Sequence, residues 1–227
     1  MKVLAGVLGG QLPKLVMFDL DGTLIDSVPD LATATDQMLV QLGRAPAGMD
    51  KVRHWVGNGA PVLVRRALAD DVEHSSVTAE QEAAGLAIFM QVYGTGESLT
   101  TLYPGALETL QSLKMLGIKI ALVTNKPEKF FPQLLADTGM ADFFDWVVGG
   151  DTFAQKKPDP TGLLWVMQQA GVTPEQCVFV GDSRNDVQAA RAAHVACVAV
   201  TYGYNYGEPI SADNPALIVD DLRELFL

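Results

Sequence analysis

Apolar residues gather along the chain in short, nearly unbroken runs: Leu15 to Leu20, Ile118 to Val123, Trp146 to Gly149, Cys177 to Gly181 and Cys197 to Thr201. Each has the length of a strand. A strand covered on one face alternates apolar with polar residues, whereas a parallel strand covered on both faces shows no alternation. The stretches between the runs follow a helical period, as where Ala106, Leu107, Leu110, Leu113 and Leu116 recur. Strand-sized runs alternating with helical patterns predict an α/β fold with a doubly wound parallel sheet.

The rhythm breaks between Asp26 and Tyr103, more than seventy residues with no convincing buried strand. Val28, Leu31, Thr35, Met38, Leu39 and Leu42 share one helical face, which Gly43 ends. Val62, Leu63, Ala67 and Leu68 begin a second pattern. A third runs from Thr78, with Glu80 and Glu82 in its first turn, to about Val92 before Gly94-Thr95-Gly96. A helical insertion directly after the first strand, with polar or glycine-containing joints, reads as a lid over the site that strand builds. The plainer alternative is an ordinary helical subdomain.

Composition narrows the possible chemistry. The chain has 227 residues, 48% of them hydrophobic and 19% charged, enough apolar material for a core and against disorder. Its net charge of −11, with no Lys/Arg run longer than two, excludes a nucleic-acid binder, which needs a basic face. A small anionic substrate is compatible with that field if a metal or a local cation offsets it. Cys177 and Cys197 lie in apolar runs outside any Cys/His cluster and read as buried thiols. The first ten residues are too short an apolar stretch for a signal sequence, and no segment has the length of a membrane span, so a cytoplasmic protein with no membrane partner is expected.

Polar clusters follow the strand-sized runs: Asp19-Leu20-Asp21-Gly22-Thr23, Thr124-Asn125-Lys126, Lys156-Lys157-Pro158 and Gly181-Asp182-Ser183-Arg184-Asn185-Asp186. Any one of them alone reads as a helix cap or a turn. Ligands of open parallel sheets bind beyond the carboxyl ends of the strands, so four clusters at such ends predict one shared crevice. Asp19 and Asp21 stand two residues apart and can aim at the same region. Their like charges call for a hard divalent cation on Asp19 and Asp182, and Mg²⁺ characteristically uses one or two carboxylates plus phosphate and water. Lys157 adds a fixed positive charge, Gly22-Thr23 offers close backbone approach to an anion, and the Thr124 hydroxyl offers a donor. These parts suit phosphoryl transfer.

The segment Phe18-Asp19-Leu20-Asp21-Gly22-Thr23-Leu24-Ile25-Asp26-Ser27, followed in order by Val123-Thr124-Asn125, Lys157-Pro158 and Gly181 to Asp186, resembles the four motifs of the haloacid dehalogenase superfamily of aspartyl-phosphate phosphatases. The resemblance spans Leu15 to about Thr201 and implies a Rossmann-like catalytic core in residues 1–27 and 99–227 with a small helical cap in residues 28–98. It makes Asp19 the nucleophile and Asp21 the general acid/base, with the Asp21 backbone carbonyl on Mg²⁺. It gives Thr124 the phosphoryl group, Lys157 the steadying of Asp19 and phosphate, Asp182 the metal, and Asp186 the support of the metal site. Lys157 is preferred to Lys156 because the family's lysine stands directly before the proline.

Substrate contacts are expected from Gly22, Thr23 and Asn125 in the core and from Gly57, Asn58 and Gly59 in the cap. The cap segment Arg53 to Ala60 is similar to that of bacterial phosphoglycolate phosphatases, as is the joint Asp26 to Leu31. A small phosphomonoester, with 2-phosphoglycolate foremost, is therefore the implied substrate. A sugar-phosphate phosphatase, a β-phosphoglucomutase-like mutase and a pyrophosphatase share these core motifs and stay open. A noncatalytic phospho-aspartate receiver would have no reason to carry the cap.

Overall fold

Strand β1 (Leu15–Phe18), preceded by helix α1 (Lys2–Val7), lies at the centre of the molecule, all four of its residues buried. The structure is a computed structural model that describes residues 2–95 and 98–227, so Gly96 of the glycine joint lies outside the described residues. After β1 come the two-residue strand β2 (Ile25–Asp26) and four helices: α2 (Val28–Gln41), α3 (Met49–Trp55), α4 (Ala60–Ala69) and α5 (Ala79–Tyr93). The chain returns through β3 (Thr101–Leu102), which pairs antiparallel with β2, Ile25 opposite Leu102. It continues through α6 (Ala106–Met115), β4 (Lys119–Val123), α7 (Phe131–Asp137), β5 (Trp146–Val148), α8 (Thr161–Ala170), β6 (Cys177–Gly181), α9 (Arg184–Ala192), β7 (Ala196–Val200) and β8 (Leu217–Val219).

Six strands form a parallel sheet in the order β5-β4-β1-β6-β7-β8, with Val16 of β1 opposite Ile120 on one side and Val178 on the other. Successive side chains of a strand point to opposite faces. Val16 and Phe18 accordingly join one core with Leu110 and Leu113 of α6, while Leu15 and Met17 join another with Leu163 and Val166 of α8 and Val187 and Ala190 of α9. Helices on both faces explain why the strand runs show no alternation.

Helices α2 to α5 have a core of their own, in which Met38, Val52, Val64 and Phe89 are buried. Gly85 is the contact point of α5: a Cβ there would stand 2.9 Å from the Val64 side chain and 3.3 Å from Met38. Tyr204, from the loop after β7, is buried in this same helical core.

Several local features depart from the sequence reading. β1 stops at Phe18 rather than Leu20, because the chain turns there: the Leu20 carbonyl accepts from the amides of Thr23, Leu24 and Ile25. Helix α3 is an additional helix between the first two helical patterns of the insertion, and β8 and the β2/β3 ribbon are too short or too exposed to stand out as apolar runs. Among the described residues no helix is long and apolar enough to cross a membrane.

Candidate active site

Because all six strands are parallel, β1, β4, β5 and β6 deliver their following residues to one edge of the sheet. The Asp19 amide still bonds to the Val180 carbonyl at 2.9 Å, so its side chain is held by the end of the ladder. Thr124 is held likewise, its amide bonding to the Val148 carbonyl at 3.0 Å. Asp19, Asp182 and Asp186 converge, all buried, with one oxygen of each within 4.8 Å of the others.

Lys157 joins this group: its Nζ is 2.8 Å from Asp19 Oδ1 and 2.7 Å from Asp186 Oδ1, and it packs over the Phe179 ring at 5.3 Å. Lys156 points elsewhere, its Nζ lying 3.1 Å from where a Gly59 Cβ would stand. Asp182 is fixed by Thr23 Oγ1 at 2.8 Å and by the Tyr204 amide at 2.6 Å. Asp186 Oδ2 accepts from the Asp182 and Ser183 amides, at 3.2 and 3.0 Å, and from the Ser183 hydroxyl at 2.7 Å. The cluster is so tight that Gly22, at φ +88°, admits no side chain: a Cβ would come within 2.2 Å of Asp182 Oδ2.

Burial pushes the Asp19 carboxyl up to about 7, against the pull of Lys157. Burial and the neighbouring charges of Asp186 and Asp19 raise Asp182 as well. Lys157 goes upward in spite of its burial, because Asp186 and Asp19 hold its proton. A divalent cation fits this donor set. Three close carboxylates are offset by a single ammonium among the described residues, and hard oxygen donors balanced by two further positive charges are what Mg²⁺ takes.

Asp21 is turned to a different set of partners. Ser27 Oγ donates to its Oδ1 at 2.5 Å, and Lys126 Nζ approaches Oδ1 and Oδ2 at 3.0 and 3.4 Å. Lys126 is buried and also bonds to Tyr93 Oη, at the end of α5, at 2.5 Å. Burial alone would lower its pKa, yet Asp21 and Tyr93 raise it.

Asp19, Asp21, Thr124 and Asn125 form the floor of a cavity of about 50 Å³. That is a few times the roughly 10–15 Å³ one water requires. Leu31, Val56, Leu63 and Phe89 line it from the helical side, together with Gly57 and Gly59.

Four of the expected substrate contacts bond to other partners. Asn58 does not line the cavity: its Oδ1 accepts from Tyr206 Oη at 2.9 Å, and its amide reaches Asn185 Oδ1 at 3.4 Å. The amides of Gly22 and Thr23 bond within their own turn, to the carbonyls of Ile25 and Leu20 at 2.9 and 3.2 Å, and so do not offer themselves to an anion. Asn125 lines the cavity but spends its side-chain amide on the carbonyls of Gly57 and Lys157, at 3.0 and 2.9 Å. In the other direction, Lys126 and Tyr93 reach the site without having been singled out. Lys126 stood in the Thr124-Asn125-Lys126 cluster, and its position directly after two buried polar residues was the one available signal.

Residues 13–194 match the family described as haloacid dehalogenase-like hydrolase. A phosphoglycolate phosphatase of Pseudomonas putida is 60% identical over 216 residues, covering 95% of this chain and 79% of that protein. Phosphoglycolate phosphatase 1 of Pseudomonas aeruginosa is 56% identical over 215 residues, with the same coverage of 95% and 79%. Among solved structures, a predicted phosphoglycolate phosphatase from Haemophilus somnus superposes with a TM-score of 0.87 at 37% identity, over 94% of this chain and 96% of that one.

Proposed function

Because this chain belongs to the haloacid dehalogenase-like hydrolases, we infer that it is a Mg²⁺-dependent phosphatase that hydrolyses 2-phosphoglycolate to glycolate and phosphate through an aspartyl-phosphate. The observation that carries this reading is a buried Asp19–Lys157 pair, 2.8 Å apart, beside a cavity whose helical wall is the apolar set Leu31, Val56, Leu63 and Phe89. On this reading residues 28–98 are a cap over a core made of residues 1–27 and 99–227.

An Asp19 oxygen bonds to phosphorus as the bond from phosphorus to the glycolate oxygen breaks, and Asp21 hands its proton to that oxygen. Asp21, now ionised beside Lys126, then takes a proton from a water that adds to phosphorus. The bond to Asp19 breaks, phosphate leaves, and Asp21 is protonated again. Thr124 and Lys157 hold the phosphoryl group against Asp19. Asp19, Asp182 and the Asp21 backbone carbonyl would hold Mg²⁺, while Asp186, whose oxygens serve Lys157 and the loop amides, supports them. Bound Mg²⁺ supplies charge neutralisation for Asp19 and the phosphoryl oxygens. The compartment on this reading is the cytoplasm, in keeping with two free, buried cysteines.

Phosphate release measured with Mg²⁺ across 2-phosphoglycolate, ethyl phosphate, glucose 6-phosphate and pyrophosphate tests the reading. The highest kcat/KM is expected for 2-phosphoglycolate. A clear preference for the sugar phosphate or pyrophosphate would sink the substrate assignment and leave the phosphatase.

A further inference from the structure

The cavity contains a single cation among its lining residues, Lys126. Lys157, paired with Asp19 and Asp186 beneath the floor, is not among those lining residues and on the reading above serves the phosphoryl group. A substrate bearing both a phosphate and a carboxylate needs a second positive partner for its second anionic end. An ionised carboxylate against Leu31, Val56, Leu63 and Phe89 is costly unless a charge pairs with it.

We propose that Lys126, held in place by Tyr93, is the specificity-determining residue of this site and takes the substrate's carboxylate. This rests on the substrate reading above and assigns which side chain enforces it. The reach agrees with the chemistry. Asp21 meets the leaving oxygen, and Lys126 Nζ stands one hydrogen bond beyond Asp21, at 3.0 Å. In 2-phosphoglycolate the carboxylate carbon stands two bonds beyond that same oxygen. An ammonium has three donors; Asp21 and Tyr93 use two, and the third is left for a ligand.

Tyr93 fixes the ammonium from the cap side. Its ring is stacked on Phe89, centroids 5.6 Å apart, and meets Phe130 edge-on at 4.8 Å. The hydroxyl is therefore delivered to Lys126 only when α5 is seated, so the carboxylate site is complete only with the cap in place. Lys156 is the competing cation. It is half-buried beside Gly59 and is not among the residues lining the cavity.

The test compares kcat/KM for 2-phosphoglycolate with that for ethyl phosphate, which lacks the carboxylate, in the Mg²⁺-loaded wild type and in Lys126→Met, Lys126→Arg, Tyr93→Phe and Lys156→Met. Loss of the Asp21 partner burdens both substrates alike, so the ratio isolates the carboxylate. Lys126→Met is expected to lower the ratio about 100-fold, Lys126→Arg to restore part of it, and Tyr93→Phe to lower it about 5-fold, chiefly through KM. Lys156→Met should change the ratio less than Tyr93→Phe does. A ratio preserved in both Lys126→Met and Tyr93→Phe, or lost instead in Lys156→Met, overturns this assignment and leaves the substrate reading standing. A wild type with no preference for 2-phosphoglycolate overturns both. If Lys126→Met does not fold, Tyr93→Phe and Lys126→Arg decide the matter on the same ratio.

Discussion

The floor of the cavity and its roof face one another with opposite chemistry. At and beneath the floor, the Asp19, Asp182 and Asp186 carboxylates lie within 4.8 Å of one another and Lys157 is buried among them. The roof presents Leu31, Val56, Leu63 and Phe89, and its polar attachments near the site include the Gly57 carbonyl, gripped by Asn125 and Asn185 at 3.0 Å each, and the Tyr93 hydroxyl on Lys126. Charges on the floor are worth a great deal because burial strengthens every interaction there. The roof has little charge to offer, and its value lies in where it sits. Tyr206, flanked by Arg66 and Arg184 at 5.2 and 5.4 Å, and Tyr204, bonded through its hydroxyl to Asp26 and to the Ser27 amide, clamp it in that place. Substitutions on the floor should therefore abolish chemistry, while those at the clamp should move binding and stability by modest factors on every substrate.

The largest expected effect is on the floor. Asp19→Asn should form no covalent phosphoenzyme with any substrate, and rapid-quench mass spectrometry of wild type should find the phosphoryl group on Asp19. Label in Asp19→Asn, or none on Asp19 in wild type, would refute the nucleophile. Exhaustive chelation should be as severe, with activity restored by Mg²⁺ and opposed by Ca²⁺, whose tolerance of bidentate carboxylates ties up both Asp19 oxygens. Full turnover in chelator would break the comparison at its root.

Asp21→Asn comes next, with a loss of about 10²–10⁴-fold. It keeps the nucleophile, so an activated aryl phosphate should still phosphorylate Asp19 while hydrolysis of that intermediate slows and label accumulates.

Clamp substitutions should be far milder. Asn58→Ala removes contacts to Tyr206 and Asn185 rather than to substrate, so kcat/KM for 2-phosphoglycolate and for ethyl phosphate should fall by the same factor, about 5-fold. A selective loss on 2-phosphoglycolate would return Asn58 to the substrate and blur the line between clamp and pocket.

The smallest effect concerns the start of α2, where Asp30 accepts from Ser98 Oγ at 2.5 Å, the Leu99 amide at 2.7 Å and Thr100 Oγ1 at 2.7 Å. Burial alone would raise its pKa, but the bonds from Ser98 and Thr100 outweigh burial and lower it from 3.8. The stability it contributes is complete above that value and is lost as pH falls through the folded one. Asp30→Asn should thus be slightly less stable at neutral pH and should show a shallower decline in stability between about pH 5 and pH 2. Unchanged acid denaturation would show that these bonds to Asp30 contribute nothing to stability.

Much of this was legible along the chain. Asp19, Thr124 and Asp182 each directly follow a buried strand, and in a parallel sheet the position of a residue at a strand's carboxyl end already settles its neighbourhood, because the ladder dictates it. The helical insertion was legible for a related reason: Val28, Leu31, Met38 and Leu39 repeat at a period that only one element satisfies. Local order of this kind is written in residue spacing. What spacing does not contain is the direction of a side chain where two units meet. Asn58 and Lys126 are both polar residues in loops, yet Asn58 turns to Tyr206, 148 positions away, and Lys126 to Asp21, 105 positions away. Tyr204 looks like any loop tyrosine until the helical core closes around it. The amides of Gly22 and Thr23 lost their freedom to a turn whose acceptors, Ile25 and Leu20, are backbone and carry no sequence signal. The placement of the floor carboxylates was thus set by local sequence, whereas which side chains line the pocket was decided by tertiary packing, because a long-range contact is chosen by which surfaces fit together and not by the order of residues on either.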